Sequence, residues 1–333
     1  MSTVHLYVHG RGRGHGQRSE AVCEHLRSAG YTLRVFAGRE ALEAFAPGDA
    51  EPVDSLMPRA GWRTLPLLRR RVSKASRLLY EESPTAVISD GDLPAVVAAR
   101  LRGIPSVALG HGLIFSHTQR PQALPALPWL REATKARIAS MGTTRQVAVT
   151  FTHLVPRSTT TTIARPTLRR ALRGVRAPGD DLVCYFRDPN YHDVVRTLRD
   201  QGQPIRVFSA QDPKLSGVAW EPPDAVRFAE ALLSARAVVS SAGSQLIGEC
   251  VTLGIPQLAL YDARDDEQRL NVALLKAHSL GTGCTLDTFN DATARSFMTS
   301  LEERPSRTAP EPWGPEAGVA VKQALDAIVA RRG

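Results

Sequence analysis

Side chains able to do chemistry gather at three places in this sequence. The first is His9-Gly10-Arg11-Gly12-Arg13-Gly14-His15-Gly16-Gln17-Arg18, where an imidazole stands among glycines and arginines. The second is Asp90-Gly91-Asp92, and the third is Ser241-Ala242-Gly243-Ser244-Gln245, followed by Glu249 and then by Gln268 and Asn271. A turn at Gly243-Ser244 puts backbone N–H groups, the Ser244 hydroxyl and the adjacent Gln245 at a helix start, a ready site for an anion. Glu249 lies five residues beyond Ser244, roughly 7–8 Å further along a helix axis. A phosphate at the turn therefore leaves its carboxylate near where a ribose presents hydroxyls. The polar loop Asp265–Asn271 returns to the same carboxyl edge of the sheet, where open α/β sheets bind ligands.

The elements that hold these groups follow from periodicity. Val4–Val8 is a short apolar run that reads as a strand feeding the His9–Arg18 loop. Ala21, Val22, His25, Leu26 and Ala29 then mark a helix that ends at Gly30. Strand, glycine-rich loop and helix is the order in which such a loop serves a phosphate or a close backbone approach. The spacing of Gly10, Gly12, Gly14 and Gly16 is not Gly-x-Gly-x-x-Gly, and Gly38-Arg39-Glu40 offers no convincing ribose carboxylate, so a nicotinamide-dinucleotide reading lacks support. Arg11 and Arg13 are either phosphate clamps, since guanidinium pairs bidentately with phosphate, or solvated loop charges. Thr32–Phe36, Thr85–Ser89 and Gly103–Leu109 read as further strands, with a helix over Leu93–Arg102. Val147–Phe151 reads as the last strand of the first half. Pro121–Leu130, with Trp129, reads as a loop followed by a helix through Ser140.

Pro156–Asp181 is rich in Thr, Arg, Pro and Gly and reads as the linker, which divides the chain at 160/161. The second half supplies strands at Leu182–Phe186, Ile205–Ser209, Ala237–Ser240 and Gly254–Leu260, with a helix over Tyr191–Gln201. Phe208 and Trp220 either flank a base or pack in the core. From Asn290 the chain reads mainly as helices, the last over Gly318–Arg331.

The 333 residues suit two domains of ordinary size. With 43% hydrophobic and 23% charged residues the composition is that of a folded soluble protein rather than a disordered one. No apolar run approaches membrane-spanning length and no secretory signal precedes the first strand, so a cytoplasmic protein is expected. The four cysteines, Cys23, Cys184, Cys250 and Cys284, lack metal spacing and read as reduced structural residues. A net charge of +9 implies an acidic partner: nucleotide phosphates, anionic lipid and nucleic acid all qualify. No nucleic-acid module is recognisable, so nucleic acid is not expected as a partner. The segment 59–80 sets Trp62, Leu65, Leu67 and Leu68 beside Arg63, Arg69, Arg70, Arg71, Lys74 and Arg77. It is either a peripheral contact with anionic membrane lipid or with a large acceptor, or a core helix with a solvated basic face.

Three blocks carry a family resemblance, one of them the strand–helix–strand run Thr85–Gly112, which resembles the amino-terminal domain of GT-B glycosyltransferases. Gly243-Ser244, Glu249, Gly254-Ile255-Pro256, Gln268 and Asn271 resemble the donor-binding segment of GT-B glycosyltransferases of the MurG-like and UDP-glycosyltransferase branches. Gly12-Arg13-Gly14-His15-Gly16-Gln17-Arg18 resembles the Gly-x-Gly-His-x-x-Arg opening of MurG-like transferases and related nucleotide-sugar hydrolases. The match departs from the plant-type pattern, which has a histidine shortly before its glycine and an Asp-Gln pair; this chain has Ser241 and Glu267-Gln268. The resemblance implies an α/β protein of the GT-B fold: two Rossmann-like domains with parallel sheets facing a central cleft, an acceptor-binding domain at 1–160 and a nucleotide-sugar domain at 161–333, with the last helix packing back on the first.

It further implies that the turn holds a diphosphate, Glu249 a ribose and Gln268 the sugar, with Gly14, Gln245, Asn271 and Arg187 completing the donor site. His15 stands where the family has its histidine, and Asp90 matches the strand-end aspartate that orients it. A neutral imidazole could take the proton of an acceptor hydroxyl, and the carboxylate would fix its tautomer; alternatively His15 caps the helix or binds phosphate. Arg13 and His111 are candidates for the acceptor. Asp90-Gly91-Asp92 formally matches a metal-binding Asp-x-Asp, yet the flanking elements are wrong for that fold, and no metal or other cofactor is expected. The implied reaction is inverting, metal-independent glycosyl transfer from a UDP- or TDP-sugar to a small-molecule or lipid-linked hydroxyl, with natural-product biosynthesis as one setting for it. The same motifs serve a nucleotide-sugar hydrolase or an epimerase. A non-catalytic nucleotide- or nucleic-acid-binding protein is the alternative outside enzymes.

Overall fold

The computed structural model describes residues 3–10, 12–56, 64–186, 191–303 and 311–330. They form two compact units, one comprising 1–121, 129–167 and 312–333, the other 122–128 and 168–311. In chain order the elements are β1 (Thr3–Val8), α1 (Arg13–Ser28), β2 (Thr32–Ala37), α2 (Arg39–Leu42), β3 (Glu51–Pro52), α3 (Thr64–Glu82), β4 (Ala86–Asp90), α4 (Leu93–Leu101), β5 (Ser106–Gly110), α5 (Leu113–His117), α6 (Ala126–Ala139), β6 (Arg145–Val149) and β7 (Thr161–Ala164). There follow β8 (Leu182–Phe186), α7 (His192–Arg199), β9 (Ile205–Ser209), β10 (Val218–Glu221), α8 (Ala225–Ser234), β11 (Ala237–Ser241), α9 (Ser244–Thr252), β12 (Gln257–Tyr261), α10 (Asp266–Ala277), β13 (Thr282–Thr285), α11 (Asp291–Glu303) and α12 (Ala317–Val329).

The first unit carries a sheet of order β3-β2-β1-β4-β5-β6-β7, the second one of order β10-β9-β8-β11-β12-β13. Neighbouring strands are parallel throughout, as between β1 and β4 or β11 and β12. Parallel strands need helical crossovers, which cover both faces of the sheet and explain why the strands read as unbroken apolar runs. On one face of the first sheet Leu6, Val8, Ile88 and Leu109 pack under α1 and α12 through Val22, Leu26, Val321 and Leu325. On the other, Tyr7, Phe36 and Val87 meet Ala75 and Leu79 of α3 and Ala95, Ala98 and Ala99 of α4. In the second unit Val239 and Leu260 face a cluster with α7 and α11, while Val238, Phe208 and Cys250 face the other side with α8.

Three expectations change, and one open alternative is decided. β7 pairs with β6 in the first sheet, so the first unit runs past residue 160 and the strand expected over Val147–Phe151 is not its last. The β-branched Thr161 and Thr162, which fall in the Thr-rich run of the expected linker, suit an edge strand. The glycine-rich segment is shorter than its composition suggests, because α1 already begins at Arg13. Gly16 belongs inside that helix because α2 lies against it: a Cβ there would stand 2.5 Å from the Ala41 carbonyl oxygen. Trp129 is in α6 rather than in a loop, 4% exposed and edge-on to Phe115. Phe208 is fully buried against Phe228, which makes it core rather than a platform for a base.

Candidate active site

In the first unit the functional groups sit at the carboxyl ends of β1, β4 and β5, as strand order in open α/β sheets favours. α1 starts beyond β1 at a glycine with φ 86° and no side-chain cap, which places His15 in its first turn. The buried strand β4 ends on Asp90, and the His15 Nδ1 lies 2.6 Å from Asp90 Oδ1. Arg18, one turn along α1, donates from Nε to Oδ2 at 3.0 Å and from Nη2 to Oδ1 at 2.6 Å. The Ser19 hydroxyl donates to Oδ2 at 2.9 Å. Asp90 thus holds four donors with no solvent exposure. Burial alone would push its carboxyl up, yet the Arg18 guanidinium and the His15 imidazole together more than offset this and hold it well below the usual carboxylate range.

An ionised carboxylate can only accept, so His15 Nδ1 carries the proton that reaches it, and the Arg18 Nη2 that stands 3.2 Å from Nδ1 is a close neighbour rather than a donor to it. The tautomer is therefore set, and Nε2 is the nitrogen with a free lone pair. The imidazole keeps 33% of its side-chain surface exposed, while Asp90 keeps none. His9 lies edge-on to it at 5.8 Å between centroids. Gly91, at φ 73°, leaves the Cε1 edge uncrowded, since a Cβ there would stand 3.3 Å from it.

Asp92, the other acid of the triplet, is structural. It caps α4 by accepting from the Ala95 N–H at 3.0 Å and pairs with the buried Arg71 at 2.9 Å. Its carboxyl is raised by burial, which Arg71 only partly opposes. Arg71 is thereby the inward residue of the basic segment, whose Arg69, Arg70, Lys74 and Arg77 are exposed along α3. His111 does not reach an accessible wall as expected for an acceptor residue: it is 4% exposed, donates from Nδ1 to the Val149 carbonyl at 2.9 Å and stacks on Phe151. Arg13, the other acceptor candidate, pairs with Glu43 at 2.9 Å on a partly exposed face, and Gly14 lies beside it in the first turn of α1, in the first unit rather than the one that carries the other donor candidates.

The second unit brings Gly243, Ser244, Gln245, Glu249, Gln268 and Asn271 to the carboxyl ends of β11 and β12. α9 starts at Ser244 with Gly243 as its cap residue and no side-chain cap, whereas Asp265 caps the neighbouring α10. Uncapped N–H groups at a helix start are available to an anion. A Cβ on Gly243 would meet nothing within 4 Å, so the turn faces open space. Gln268 Oε1 is buried and has no partner among the described residues, an acceptor awaiting a donor. Asn271 departs from its expected role. It is fully buried and donates to the Ala242 carbonyl at 3.0 Å, so it fixes the turn from behind rather than meeting a ligand.

Glu249 is held by a partner the sequence did not single out. Arg169 donates from Nε to Oε1 at 3.0 Å and from Nη2 to Oε2 at 3.2 Å, and Gln245 Nε2 donates to Oε1 at 3.1 Å. Arg187 lies outside the described residues, as do Arg11, Arg59, Trp62 and Arg63. Among the described residues no group of three or more His, Cys, Asp or Glu side chains could hold a metal ion, and no helix is long and apolar enough to cross a membrane.

The model of glycosyl transferase family 1 matches residues 62–302. The chain belongs to that family. It is a glycosyltransferase of the GT-B, MurG-like type. At 27% identity over 81% of this chain and 80% of the relative, it is similar to the UDP-N-acetylglucosamine--N-acetylmuramyl-(pentapeptide) pyrophosphoryl-undecaprenol N-acetylglucosamine transferase of Clavibacter sepedonicus. A shorter stretch, 19% of this chain and 15% of the relative, is 34% identical to a PGL/p-HBAD biosynthesis glycosyltransferase of Mycobacterium tuberculosis. Among solved structures, MurG of Acinetobacter baumannii superimposes with a TM-score of 0.66 at 17% identity, covering 99% of this chain and 100% of that one. The S. aureus MnaA–UDP structure does so at 0.68 and 13% identity, covering 99% and 97%. These two likenesses concern the fold of the glycosyltransferase.

Proposed function

We propose that this glycosyltransferase moves a sugar from a UDP-sugar to a hydroxyl of a lipid-linked acceptor, with inversion at the anomeric carbon. The observation that carries the reading is the His15–Asp90 pair, with its tautomer set and the imidazole partly open to solvent. His15 Nε2 takes the acceptor proton as the acceptor oxygen forms its bond to the anomeric carbon. The bond from that carbon to the diphosphate oxygen breaks, and its electron pair leaves with the nucleoside diphosphate. Asp90 stabilises the imidazolium and stays ionised, because Arg18 and Ser19 keep its remaining positions filled. In the second unit the open start of α9 and the Ser244 hydroxyl receive the diphosphate, and helix N-terminal N–H groups stabilise the charge that develops there. Glu249 takes the ribose and Gln268 Oε1 accepts from a hydroxyl of the transferred sugar.

The 27% identical relatives, named for UDP-N-acetylglucosamine and a pyrophosphoryl-undecaprenol acceptor, support the choice of uridine and of a lipid-linked acceptor. The test supplies UDP-N-acetylglucosamine and other UDP- and TDP-sugars with lipid-pyrophosphate glycans or small phenolic acceptors, and reads nucleotide release and product anomer. UDP release dependent on the lipid-linked acceptor and abolished in His15→Ala supports the reading. Release without acceptor makes the protein a hydrolase, and turnover with phenolic acceptors alone overturns the acceptor.

A further inference from the structure

The hydrogen bonds around Glu249 limit what it can still accept. A carboxylate offers about four acceptor positions, two on each oxygen. Oε1 already takes Arg169 Nε at 3.0 Å and Gln245 Nε2 at 3.1 Å, which fills it. Oε2 takes Arg169 Nη2 at 3.2 Å and has one position left. Glu249 is 2% exposed and Arg169 7%, so the pair is enclosed and its carboxylate cannot turn freely. Rotating it to offer two positions on one oxygen would break a charge-assisted fork in a buried setting, and a neutral hydroxyl does not compensate for that loss. The two partners differ in kind. Gln245 belongs to α9 itself and is partly exposed. Arg169 comes from the segment entering the second unit, 80 residues away, and is held on two of its nitrogens.

We infer that Arg169 is a positioning residue that sets sugar recognition in the nucleotide site: it leaves Glu249 able to accept one ribose hydroxyl, not the vicinal pair. This rests on the reading of the second unit as a nucleoside-diphosphate site. The ligand class that follows is a nucleoside diphosphate recognised through one sugar hydroxyl, so that either the 2′- or the 3′-deoxy nucleotide binds as well as the parent nucleotide.

Calorimetric titration of the full chain with UDP, 2′-deoxy-UDP and 3′-deoxy-UDP tests it, alongside Gln245→Ala and Arg169→Lys. Gln245→Ala vacates one position on Oε1, and Arg169→Lys replaces a two-pronged donor by a point charge. In the parent protein one deoxy analogue should bind within about twofold of UDP and the other roughly tenfold more weakly, the worth of a hydrogen bond to a charged group. In both variants the analogue that was tolerated should fall several-fold behind UDP, as the second hydroxyl gains an acceptor. A merely structural Arg169 would weaken all three ligands alike. Comparable losses for both analogues in the parent overturn the inference, as do unchanged ratios in Gln245→Ala, which also serves if Arg169→Lys fails to fold. If both analogues match UDP, Glu249 meets no hydroxyl and only this inference fails. If UDP itself does not bind, the reading of the donor site fails first.

Discussion

Arg18 and Asp90 are joined twice, Nε to Oδ2 at 3.0 Å and Nη2 to Oδ1 at 2.6 Å, with both side chains buried. The fork turns Asp90 into a fixed, ionised anchor for His15 and separates two jobs that one carboxylate often combines. Arg18 keeps the charge, and Asp90 keeps the imidazole.

Asp90→Asn should therefore damage activity and folding together. An amide cannot fix the same tautomer or stabilise the imidazolium, so kcat should fall by roughly 100- to 10,000-fold. It also leaves the Arg18 guanidinium buried against a neutral group, a loss of about 3–5 kcal/mol. Initial rates with a working donor and acceptor give the first, urea denaturation the second. His15→Gln should lose comparable activity at almost unchanged stability, because His15 is partly exposed and Asp90 keeps its Arg18 and Ser19 partners.

The same anchor shapes stability in acid. The Asp90 carboxyl is depressed in the folded protein, so the unfolded chain, at an ordinary carboxylate value of about 3.9, takes up the proton first. Its contribution is present above that value and is lost as the pH falls through the folded one. Denaturation midpoints measured from pH 6 to pH 2 should drop more steeply for the parent than for Asp90→Asn.

His5 gives a second window at higher pH. It is fully buried on β1, and burial first, then the Arg34 charge, lowers it from 6.5 to about 4. Its Nε2 stands 2.9 Å from Glu82, whose charge Arg34 already compensates, so the neutral ring donates there and gains little by protonating. Glu51 and Tyr7 complete its surroundings. The unfolded chain binds a proton near pH 6.5 that folded His5 refuses, so stability declines as pH falls from 6.5 towards 4. His5→Phe, placed beside Tyr7 and Phe36, should flatten that part of the profile by an amount of order 2–3 kcal/mol. A slope that is the same in both proteins would refute it.

Much of the architecture was legible because a parallel sheet covered on both faces writes itself as short apolar runs alternating with helical periodicity. Strand ends follow from those runs, which put His15, Asp90 and the Gly243-Ser244 turn at or just beyond the carboxyl ends of strands. What stayed hidden was side-chain direction and long-range pairing. Asn271 and Gln268 are three residues apart on one helix, yet one turns to the Ala242 carbonyl and the other leaves an acceptor unpaired. Arg169 sits in a segment crowded with arginines, and nothing local marks it as the partner of a carboxylate 80 residues later. Arg71 likewise lies among outward-facing arginines of α3 and only its helical phase turns it inward to Asp92.

Asn271→Leu tests the distinction between a residue that meets the donor and one that supports the turn. The substitution removes the donor to the Ala242 carbonyl in a fully buried place, which should destabilise the protein by about 1–3 kcal/mol. Nucleotide affinity should weaken only as far as the turn relaxes. A large loss of UDP affinity at unchanged melting temperature would mean that Asn271 touches the donor after all.

Gly243→Ala probes the open face of the same turn. Gly243 has φ −75° and ψ 129°, a conformation any residue adopts, and a Cβ there meets nothing within 4 Å. The fold has no use for a glycine here, so stability should change by less than about 0.5 kcal/mol. A methyl group in front of the uncapped start of α9 should nevertheless hinder a phosphate that must reach the Ser244 and Gln245 N–H groups. UDP affinity should drop several-fold while uridine, which lacks phosphate, binds as before. Equal losses for both ligands would place the methyl against the nucleoside rather than the diphosphate and would move the phosphate away from α9.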